Sequence, residues 1–599
     1  MKELEKAAGE ISAEENTASE TPEIYPPPYK VVNGGLCVEC MSNQGKYDKK
    51  LCNFLPRLSA EITVDDGLTE TKRLRIVGEH AGGYALPEIE IAGSEFTAFN
   101  WLLEHWGVDC NLEPGSGVRE HIRYAIQSTA PRAERMSIYA VTGWKKLGGR
   151  WRYLMPGDET VSVQLPGKLK RYEMKDGYTP ADISTAFCLL EMPVSPKEII
   201  YPLLAFAFLS PLNEFLHRAN CEPKFVMFLL GKTGTRKSTL AALFLSFFGS
   251  FTPSDLPLSF RDTANSIIHH AFALKDVLTC IDDFHPCGKP EESKLTATAQ
   301  AVMRAYGDRT GRGRLKSDAS PLDSRPPQGN AVITAEFAPD IGESGTARYF
   351  SLELKEGDVD LDVLSLFQKE AASGVFNRCM FAYTEWIKNR FLSEQTEADF
   401  IDTIGKAFAH YRDEFVKCGI RCHGRVPEIV AWLRIGMYFF LLFMQSRKML
   451  DEARLREINS EFTEILYVLA RKQSENIEQD KPTYNFIRKL YALLESGQAV
   501  VLNRYADAEI TPPNFIGYED DTFFYLNSDM AHKTVKRLCE EQGEVFSISQ
   551  RGLLKALAEE GLIEKSEGQN TKSVRFGSKT KRVLCLYKSK AQIIADSAL

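Results

Sequence analysis

The stretch Phe225-Val-Met-Phe-Leu-Leu230 is followed directly by Gly231-Lys-Thr-Gly-Thr-Arg-Lys-Ser238 and then by an apolar segment. This order predicts a buried strand, a glycine-containing loop and the start of a helix. Such a loop surrounds an anion with backbone N–H groups and the positive end of a helix. We therefore expect a nucleoside triphosphate, with Lys237 at the β- and γ-phosphates and the Ser238 hydroxyl on Mg²⁺. The expected phosphate contacts are Gly231, Lys232, Thr233, Gly234, Thr235, Arg236, Lys237, Ser238 and Thr239.

One position departs from the usual pattern G-x-x-x-x-G-K-[ST]. Arg236 stands where the second glycine is expected, and a non-glycine residue costs about 1–2 kcal/mol if that position needs φ > 0. Gly231 and Gly234 still supply flexibility, and Arg236 adds a positive charge beside the phosphates. Two other interpretations stay open: a chance loop between a strand and a helix, and a degenerate site that binds nucleotide but hydrolyses it poorly.

The composition is that of an ordinary globular protein. Apolar residues make up 44% and charged residues 26% of 599 residues, which is enough for three or four domains. A net charge of −8 excludes a globally basic nucleic-acid binder, so any such contact must come from local patches. The 13 scattered cysteines, the acidic N-terminus and an apolar stretch 429–444 too short to span a bilayer predict a soluble cytoplasmic protein without a membrane partner.

Composition shifts along the chain predict five segments. Residues 1–28 read as a disordered acidic tail that ends in prolines. Short alternating strands, a helix near Glu95–Trp106 and a hairpin over 138–154 predict an α+β N-terminal domain at 29–195. Alternating strands and helices predict a parallel-sheet core at 196–357, followed by a helical domain at 358–480 and a small C-terminal domain at 481–599.

A second predicted strand, Val277-Leu-Thr-Cys-Ile281, ends in Asp282-Asp283 about 45 residues beyond Lys237. An apolar strand that ends in paired acids is typical of a Walker B element. Asp282 is expected to hold Mg²⁺, directly or through water, and Asp283 to orient and deprotonate the attacking water. Alone, the pattern also fits an acidic loop after a core strand; its distance from the phosphate loop favours the metal-binding interpretation.

A third predicted strand, Ala331-Val-Ile-Thr334, places Thr334 as a polar sensor of the γ-phosphate. Arg348 comes just before the last predicted strand of the core, which begins at Tyr349. From there it is expected to reach a neighbouring subunit's nucleotide and to stabilise charge on the transferred phosphoryl group. The alternative is a surface arginine paired with Glu343.

These motifs together resemble a known family. The chain resembles a family long described as a domain of unknown function, which includes the cassette-chromosome helicases of bacterial mobile genetic islands and related phage replication proteins. The motifs that carry the resemblance are Gly-Lys-Thr-Gly-Thr-Arg-Lys-Ser, Ile-Asp-Asp, Thr-Ala-Glu and Gly-Glu-Ser…Ala-Arg. The family consists of AAA+ ATPases similar to the minichromosome-maintenance helicases. The resemblance covers about residues 30–355, includes Thr142-Gly143-Trp144, and extends more loosely to the C-terminal domain. It implies a P-loop AAA+ α/β core, a ring, usually a hexamer, and the use of ATP to move on and unwind DNA.

Residues 304–316 contain five Lys or Arg, three Gly and one acid. Ring helicases of the resembled group place a hairpin at this point that enters the central channel, where basic side chains hold DNA phosphates without reading sequence. Tyr306 is a candidate for stacking on a base. A solvated basic loop, or a patch for an acidic neighbour, remains the alternative. The candidate phosphate contacts are Arg309, Arg312, Arg314 and Lys316.

The C-terminal segment offers a second DNA contact. A helix over 550–560 is followed by two strand-like pieces, 573–576 and 583–587, in a segment with eight Lys or Arg and one Glu between Lys565 and Lys590. A helix followed by a basic hairpin predicts a winged helix whose wing meets a phosphate backbone. Winged helices also serve as protein–protein modules, and that alternative stays open. The candidate DNA contacts are Lys572, Arg575, Lys579, Lys581 and Arg582.

The sequence therefore predicts an ATP- and Mg²⁺-dependent DNA helicase or translocase, a ring-forming replicative enzyme of a mobile genetic element or phage. Other replication proteins of that element are possible partners. The second hypothesis is an initiator or scaffold that binds DNA, uses ATP only as an assembly switch and does not unwind. A small-molecule phosphotransferase is a weak third, because it would leave the basic segments unexplained.

Overall fold

The computed structural model describes residues 24–596 apart from 193, 286–288, 311–313, 316–320, 323, 340, 421, 506–511, 543–545, 547, 567 and 578; for 289–293, 314–315 and 321–322 it describes the backbone only. The chain forms two compact units. One comprises residues up to Ala140 together with Glu159–Gln164, and the other comprises Val141–Asp158 and the chain from Leu165 onward.

The smaller unit consists mainly of two antiparallel-rich sheets. A three-stranded meander is built from β1 (Tyr29–Val32), β2 (Gly35–Ser42) and β3 (Gly45–Cys52). A five-stranded sheet of order β10-β7-β4-β5-β6 is built from β4 (Phe54–Asp65), β5 (Glu70–His80), β6 (Ala85–Ala92), β7 (Glu134–Tyr139) and β10 (Ser162–Val163). The core of this unit includes Phe54, Trp101 and Trp106, and the hydroxyl of buried Tyr25 donates to the Pro56 carbonyl at 2.7 Å. Packing therefore begins before residue 28, inside the segment that the sequence predicts as tail.

The helix predicted near Glu95–Trp106 is interrupted. The structure has α1 (Gly93–Ala98) and a separate π-helical turn (Leu102–Trp106), because Phe99 adopts a left-handed conformation with φ 63° and ends α1. A third helix, α2 (Val118–Ser128), was not predicted.

The larger unit contains the hairpin of β8 (Gly143–Leu147) and β9 (Arg150–Leu154), which the sequence assigns to the N-terminal domain. Trp144 is buried, and its ring nitrogen donates to the Pro211 carbonyl at 2.7 Å. Its backbone N–H donates to the buried Asp276 carboxylate at 2.9 Å. A Cβ on Gly143, whose φ is +88°, would lie 2.6 Å from that carboxylate, so only glycine fits there. The Thr-Gly-Trp motif thus ties the hairpin to the loop before a core strand.

The centre of this unit is a parallel sheet of order β12-β13-β16-β11-β17. Its strands are β11 (Val226–Leu230), β12 (Leu258–Ser259), β13 (Leu278–Phe284), β16 (Asn330–Ala335) and β17 (Tyr349–Glu353). The helices between them are α6 (Lys237–Leu245), α7 (Ala264–Ala273), α8 (Lys289–Asp308) and α9 (Gly342–Thr346), and a short hairpin pairs β14 (Arg314–Leu315) with β15 (Pro321–Leu322). Both β11 and β16 are buried along their whole length, as the apolar runs predict.

Helices surround this sheet and share its core. Before it come α3 (Pro180–Glu191), α4 (Lys197–Leu209) and α5 (Asn213–Arg218), and after it come α10 (Leu361–Ala372), α11 (Val375–Phe391), α12 (Glu397–Lys417), α13 (Val426–Ser446) and α14 (Glu452–Gln479). One hydrophobic cluster runs from the hairpin through the sheet to α14, so the predicted boundary at 357/358 is not a break in the core. Two helical stretches, Lys197–Arg218 and Val426–Ser446, are apolar and long enough to span a membrane, but both are largely buried within the protein.

The C-terminal part has its own hydrophobic cluster. Its helices are α15 (Pro482–Glu495), α16 (Ser528–Gln542), α17 (Gln550–Glu559) and α18 (Lys588–Asp596). Its sheet has the order β18-β19-β20-β22-β21, with β18 (Val500–Asn503), β19 (Phe515–Glu519), β20 (Phe523–Leu526), β21 (Lys572–Phe576) and β22 (Lys579–Tyr587). The predicted helix and hairpin are both present. The hairpin, however, is the edge of a five-stranded sheet rather than a free-standing wing.

Candidate nucleotide site

The phosphate loop leaves the middle of the parallel sheet. β11 lies between β16 and β17, and Gly231 follows its last residue. A Cβ on Gly231 would lie 2.6 Å from the Leu354 carbonyl oxygen and 2.7 Å from the Thr235 hydroxyl, so the loop can turn there only with glycine. Helix α6 begins at Lys237, and the N–H groups of its first turn have no partner within the helix. The predicted strand, loop and helix start are all present.

Arg236 occupies a left-handed conformation. Its φ is 68° and its ψ is 24°, at the residue that caps α6. The position therefore has the backbone geometry for which glycine is ordinarily used. Arg236 carries the backbone strain that its departure from the usual phosphate-loop pattern predicts.

Lys237 is folded into its own loop. Its ammonium group donates to the carbonyl oxygens of Gly231 at 2.5 Å and Lys232 at 2.9 Å. Burial lowers the pKa of Lys237, while the nearby carboxylates of Glu336, Asp282 and Asp283 act in the opposite direction. The charge is thus held where an anion within the loop would meet it.

Three oxygen-bearing side chains meet behind the loop. The Ser238 hydroxyl donates to Asp282 Oδ1 at 2.8 Å, and the Thr334 hydroxyl donates to the same oxygen at 2.5 Å. This convergence follows from the topology, because β13 and β16 are neighbouring parallel strands whose carboxyl ends share one edge. A serine hydroxyl and a carboxylate are hard oxygen ligands of the kind that Mg²⁺ accepts, so these residues fit the ion.

Asp283 lies in a distorted part of β13. Its φ is 65°, the pairing of β13 with β16 shifts register between Ile281 and Phe284, and its backbone N–H donates to the Thr334 hydroxyl at 3.1 Å. Its half-exposed carboxylate pairs with Arg261 at 3.2 Å. Arg261 was not predicted to belong to the site.

The sequence analysis assigned no role to Glu336, whose side chain connects three elements of the site. Its carboxylate accepts a hydrogen bond from the Thr233 hydroxyl of the phosphate loop and lies 2.9 Å from His285 Nδ1, just beyond β13. The Thr233 hydrogen bond, more than any other contact, lowers the pKa of Glu336. Its sequence signals were its place two residues after Thr334 and the Thr-Ala-Glu motif of the resembled family, but neither indicated a role for it. These side chains border a cavity of about 310 Å³, lined by Thr233, Gly234, Arg236, Lys237, Ser238, Thr239, Asp283, Phe284, His285, Thr334, Ala335 and Glu336.

Arg348 lies at the amino end of the parallel strands, because it precedes β17, whereas the phosphate loop follows β11 at their carboxyl end. Its guanidinium group makes a bidentate ion pair with Asp308, the last residue of α8, in which Nε donates to Oδ1 at 3.2 Å and Nη2 donates to Oδ2 at 3.1 Å. Its other terminal nitrogen donates to the Ser344 hydroxyl at 2.6 Å, and Arg425 donates to Asp308 at 2.9 Å. Arg348 is not among the described residues that line the cavity, and its ion-pair partner is Asp308 rather than the predicted Glu343.

The basic segment behaves differently from the prediction where it is described. Tyr306 is buried in the core and is not available to stack on a base. Arg309 donates to the carbonyl oxygens of Pro223, Pro327 and Gly329 at 2.6–3.0 Å, so it anchors the end of α8 instead of facing DNA. Arg312 and Lys316 lie outside the described residues, and of Arg314 only the backbone, in β14, is described.

The predicted basic residues of the C-terminal hairpin lie on β21 and β22. Lys572 pairs with Glu564 at 2.9 Å, and Lys581 donates to the Tyr518 hydroxyl at 3.3 Å. Arg582 donates to the Thr571 hydroxyl at 2.8 Å. Arg575 and Lys579 are exposed.

No protein-family model matches the chain, and no curated protein matches its sequence. Among solved structures, the chain is similar to the active helicase Cch of SCCmec type IV, with a TM-score of 0.58 and 14% identity over 95% of this chain and 99% of that chain. The chain has the fold of a cassette-chromosome helicase. The resemblance inferred from the sequence motifs is thus confirmed at the level of the fold.

Two other solved structures align with weaker superposition. The C-terminal region of NrS-1 aligns with a TM-score of 0.24 and 11% identity over 74% of this chain and 93% of that chain. The JCV helicase, solved with a small molecule bound, aligns with a TM-score of 0.21 and 12% identity over 48% of this chain and 73% of that chain.

Proposed function

We propose that the protein is an ATP-dependent DNA helicase or translocase with an AAA+ core, which works as a ring, most simply a hexamer, in the replication of a mobile genetic element or phage. The observation that carries the proposal is the convergence of Ser238 and Thr334 on one oxygen of Asp282 behind the loop that holds Lys237. The fold shared with Cch, an active helicase, supports the same reading.

Each residue of the cavity has a defined task in this proposal. Lys237 neutralises the β- and γ-phosphates. Ser238 and Asp282 would hold Mg²⁺, which when bound would supply further positive charge beside the phosphates. Asp283 orients the attacking water and accepts its proton. Thr334, which contacts both Asp282 and the Asp283 backbone, senses whether a γ-phosphate is present.

Arg348 completes the site of a neighbouring subunit in this proposal. Its position at the edge opposite its own phosphate loop supports action in trans. All of its terminal nitrogens are engaged by Asp308 and Ser344, so a phosphate must replace at least one of these partners.

The test measures steady-state ATP hydrolysis with and without single-stranded DNA, together with ATP-dependent strand displacement on a forked duplex. Wild-type protein should hydrolyse ATP faster with DNA and release product strand, and Lys237→Ala should do neither. Mixing Lys237→Ala with Arg348→Ala should restore hydrolysis, because some interfaces then join an intact loop to an intact arginine. Full DNA-stimulated hydrolysis by either variant alone would contradict the assigned role of that residue.

A second candidate is favoured by Arg236. Strain at this position is compatible with an ATP-switched DNA-binding initiator that hydrolyses slowly and does not unwind. The forked-duplex assay separates the two functions, since an initiator binds DNA and nucleotide but releases no product strand.

A further inference from the structure

The C-terminal sheet has two different faces. On one face, Phe524, Leu526, Leu584 and Leu586 join the hydrophobic cluster that includes residues of α15, α16, α17 and α18. Alternate residues on the same strands point the other way, so Tyr525 and Cys585 belong to a second small cluster with Val574, Phe576 and Val583. This second face, called the aromatic face below, carries no helix among the described residues.

The aromatic face presents rings in contact with one another. Tyr518 and Phe576 stack with ring centroids 4.3 Å apart and planes 19° apart, and Phe515 lies edge-on to Tyr518 at 5.0 Å. Phe523 lies 4.8 Å from Tyr587. Phe515, Tyr518 and Phe523 are only half-buried, so their rings extend the cluster to the surface.

Cations lie among these rings. The Lys581 ammonium is 5.1 Å from the Tyr518 ring centroid and 5.7 Å from that of Phe515. Among the described residues neither Lys579 nor Lys581, both exposed, forms an ion pair with a carboxylate. Arg504 and Lys572 beside the same rings pair with Asp520 and Glu564, so within the described part of the chain Lys579 and Lys581 supply the unpaired positive charge of the face.

The register of the hairpin divides the five predicted DNA contacts into two sets. Lys572 pairs with Val583, Phe576 pairs with Lys579, and Val574 pairs with Lys581, which places all three lysines on the aromatic face. Arg575 and Arg582 alternate with them and point away from it. Binding of duplex phosphates by charge alone does not require aromatic side chains beside the cations. Here the lysines have aromatic neighbours and the arginines do not.

We propose that the aromatic face binds single-stranded DNA, with bases stacked on Phe515 and Tyr518 and phosphates held by Lys579 and Lys581. This inference rests on the proposed action on DNA and names the strand form that the C-terminal domain takes. Single strands offer unstacked bases to aromatic side chains, whereas a duplex presents only phosphates and groove edges. The site would hold a single strand of DNA either after the ATPase core has separated it from its complement or before it reaches that core.

The experiment measures the binding of the full chain to a fluorescent deoxythymidine oligomer and to a duplex of the same length, by anisotropy over a series of salt concentrations. Tyr518→Ala should weaken single-strand binding by about 5- to 100-fold, and Tyr518→Trp should retain it. Lys581→Ala should reduce the magnitude of the slope of log affinity against log salt by about 0.7, the value for one phosphate contact on a single strand. Arg575→Ala and Arg582→Ala test the two predicted DNA contacts that the inference removes from the binding face, so each should change single-strand affinity less than twofold. Thermal unfolding of each variant checks that the domain is folded.

Two outcomes would overturn the inference. One is equal loss of single-strand affinity in the arginine variants and in the aromatic-face variants. The other is preference of the wild-type chain for duplex, with Tyr518→Ala unchanged. Either result leaves the proposed helicase function standing. Failure of the wild-type chain to bind either DNA would instead contradict the proposed function.

Discussion

Replacing Arg236 with glycine should stabilise the protein, because the substitution removes backbone strain at the start of α6. With φ at 68° and ψ at 24°, Arg236 carries the cost of a left-handed residue, about 1–2 kcal/mol. Glycine also gives the unfolded chain more freedom, which returns about 0.5–1 kcal/mol to the unfolded state. The expected net gain in the free energy of unfolding is therefore about 0–1.5 kcal/mol, with a central value of about 0.75 kcal/mol.

The control is Arg236→Ala, which removes the same charge but keeps a side chain at φ > 0. Calorimetric unfolding of the full chain without nucleotide should give a higher midpoint for the glycine variant than for the alanine variant. ATP hydrolysis by the same pair separates the two effects of Arg236. A change common to both variants reports lost charge, and a change confined to glycine reports released strain. A glycine variant no more stable than the alanine variant would refute the reasoning.

Three other predictions concern polar side chains that are at least partly buried. Thr334→Val should lower the ATP turnover number by about 10²-fold with little change in nucleotide affinity, because it removes the hydrogen bond to Asp282. An unchanged turnover number would exclude Thr334 from the site. Asp308→Asn should destabilise the protein by about 1.5–3 kcal/mol in chemical denaturation, because two guanidinium groups then meet without a counter-charge. Adding Arg348→Ala should recover part of the lost stability. Strictly additive losses in the double variant would argue against this reason. Burial raises the pKa of Asp276 from 3.8 to about 6, so its ionisation disfavours the folded state as pH rises between those values. The thermal midpoint of Asp276→Asn relative to wild type should therefore increase from pH 4 to pH 6.5; a difference independent of pH would contradict the buried carboxylate.

The geometry of the candidate nucleotide site was largely predicted from the sequence because its signals are local. A buried strand, a glycine loop and a helix start lie within residues 225–245, and the order of parallel strands brings Asp282 and Thr334 to the same edge. Glu336 was missed because its role depends on Thr233, 103 positions away in the chain, which no spacing rule connects to it. The Thr-Gly-Trp motif was noted, but its partner Asp276 lies 132 positions away.

The C-terminal domain shows what a hairpin pattern leaves open. The strands were predicted because β-branched and aromatic residues mark them. Which side each cation faces depends on pairing with β20 and on the helices packed behind it, and composition carries neither. The basic count alone favoured a wing, whereas the register separates Lys579 and Lys581 from Arg575 and Arg582.

The basic segment after α8 shows the same limit most clearly, because charge says nothing about which partners the fold supplies. Arg309 satisfies its guanidinium with three carbonyl oxygens, and Asp308 beside it holds Arg348 and Arg425. Both neighbours are thus fixed to the body of the sheet at the point where the chain enters residues 311–320. Arg309 is therefore used by the fold itself, whereas the DNA contacts predicted at Arg312, Arg314 and Lys316 stay predictions.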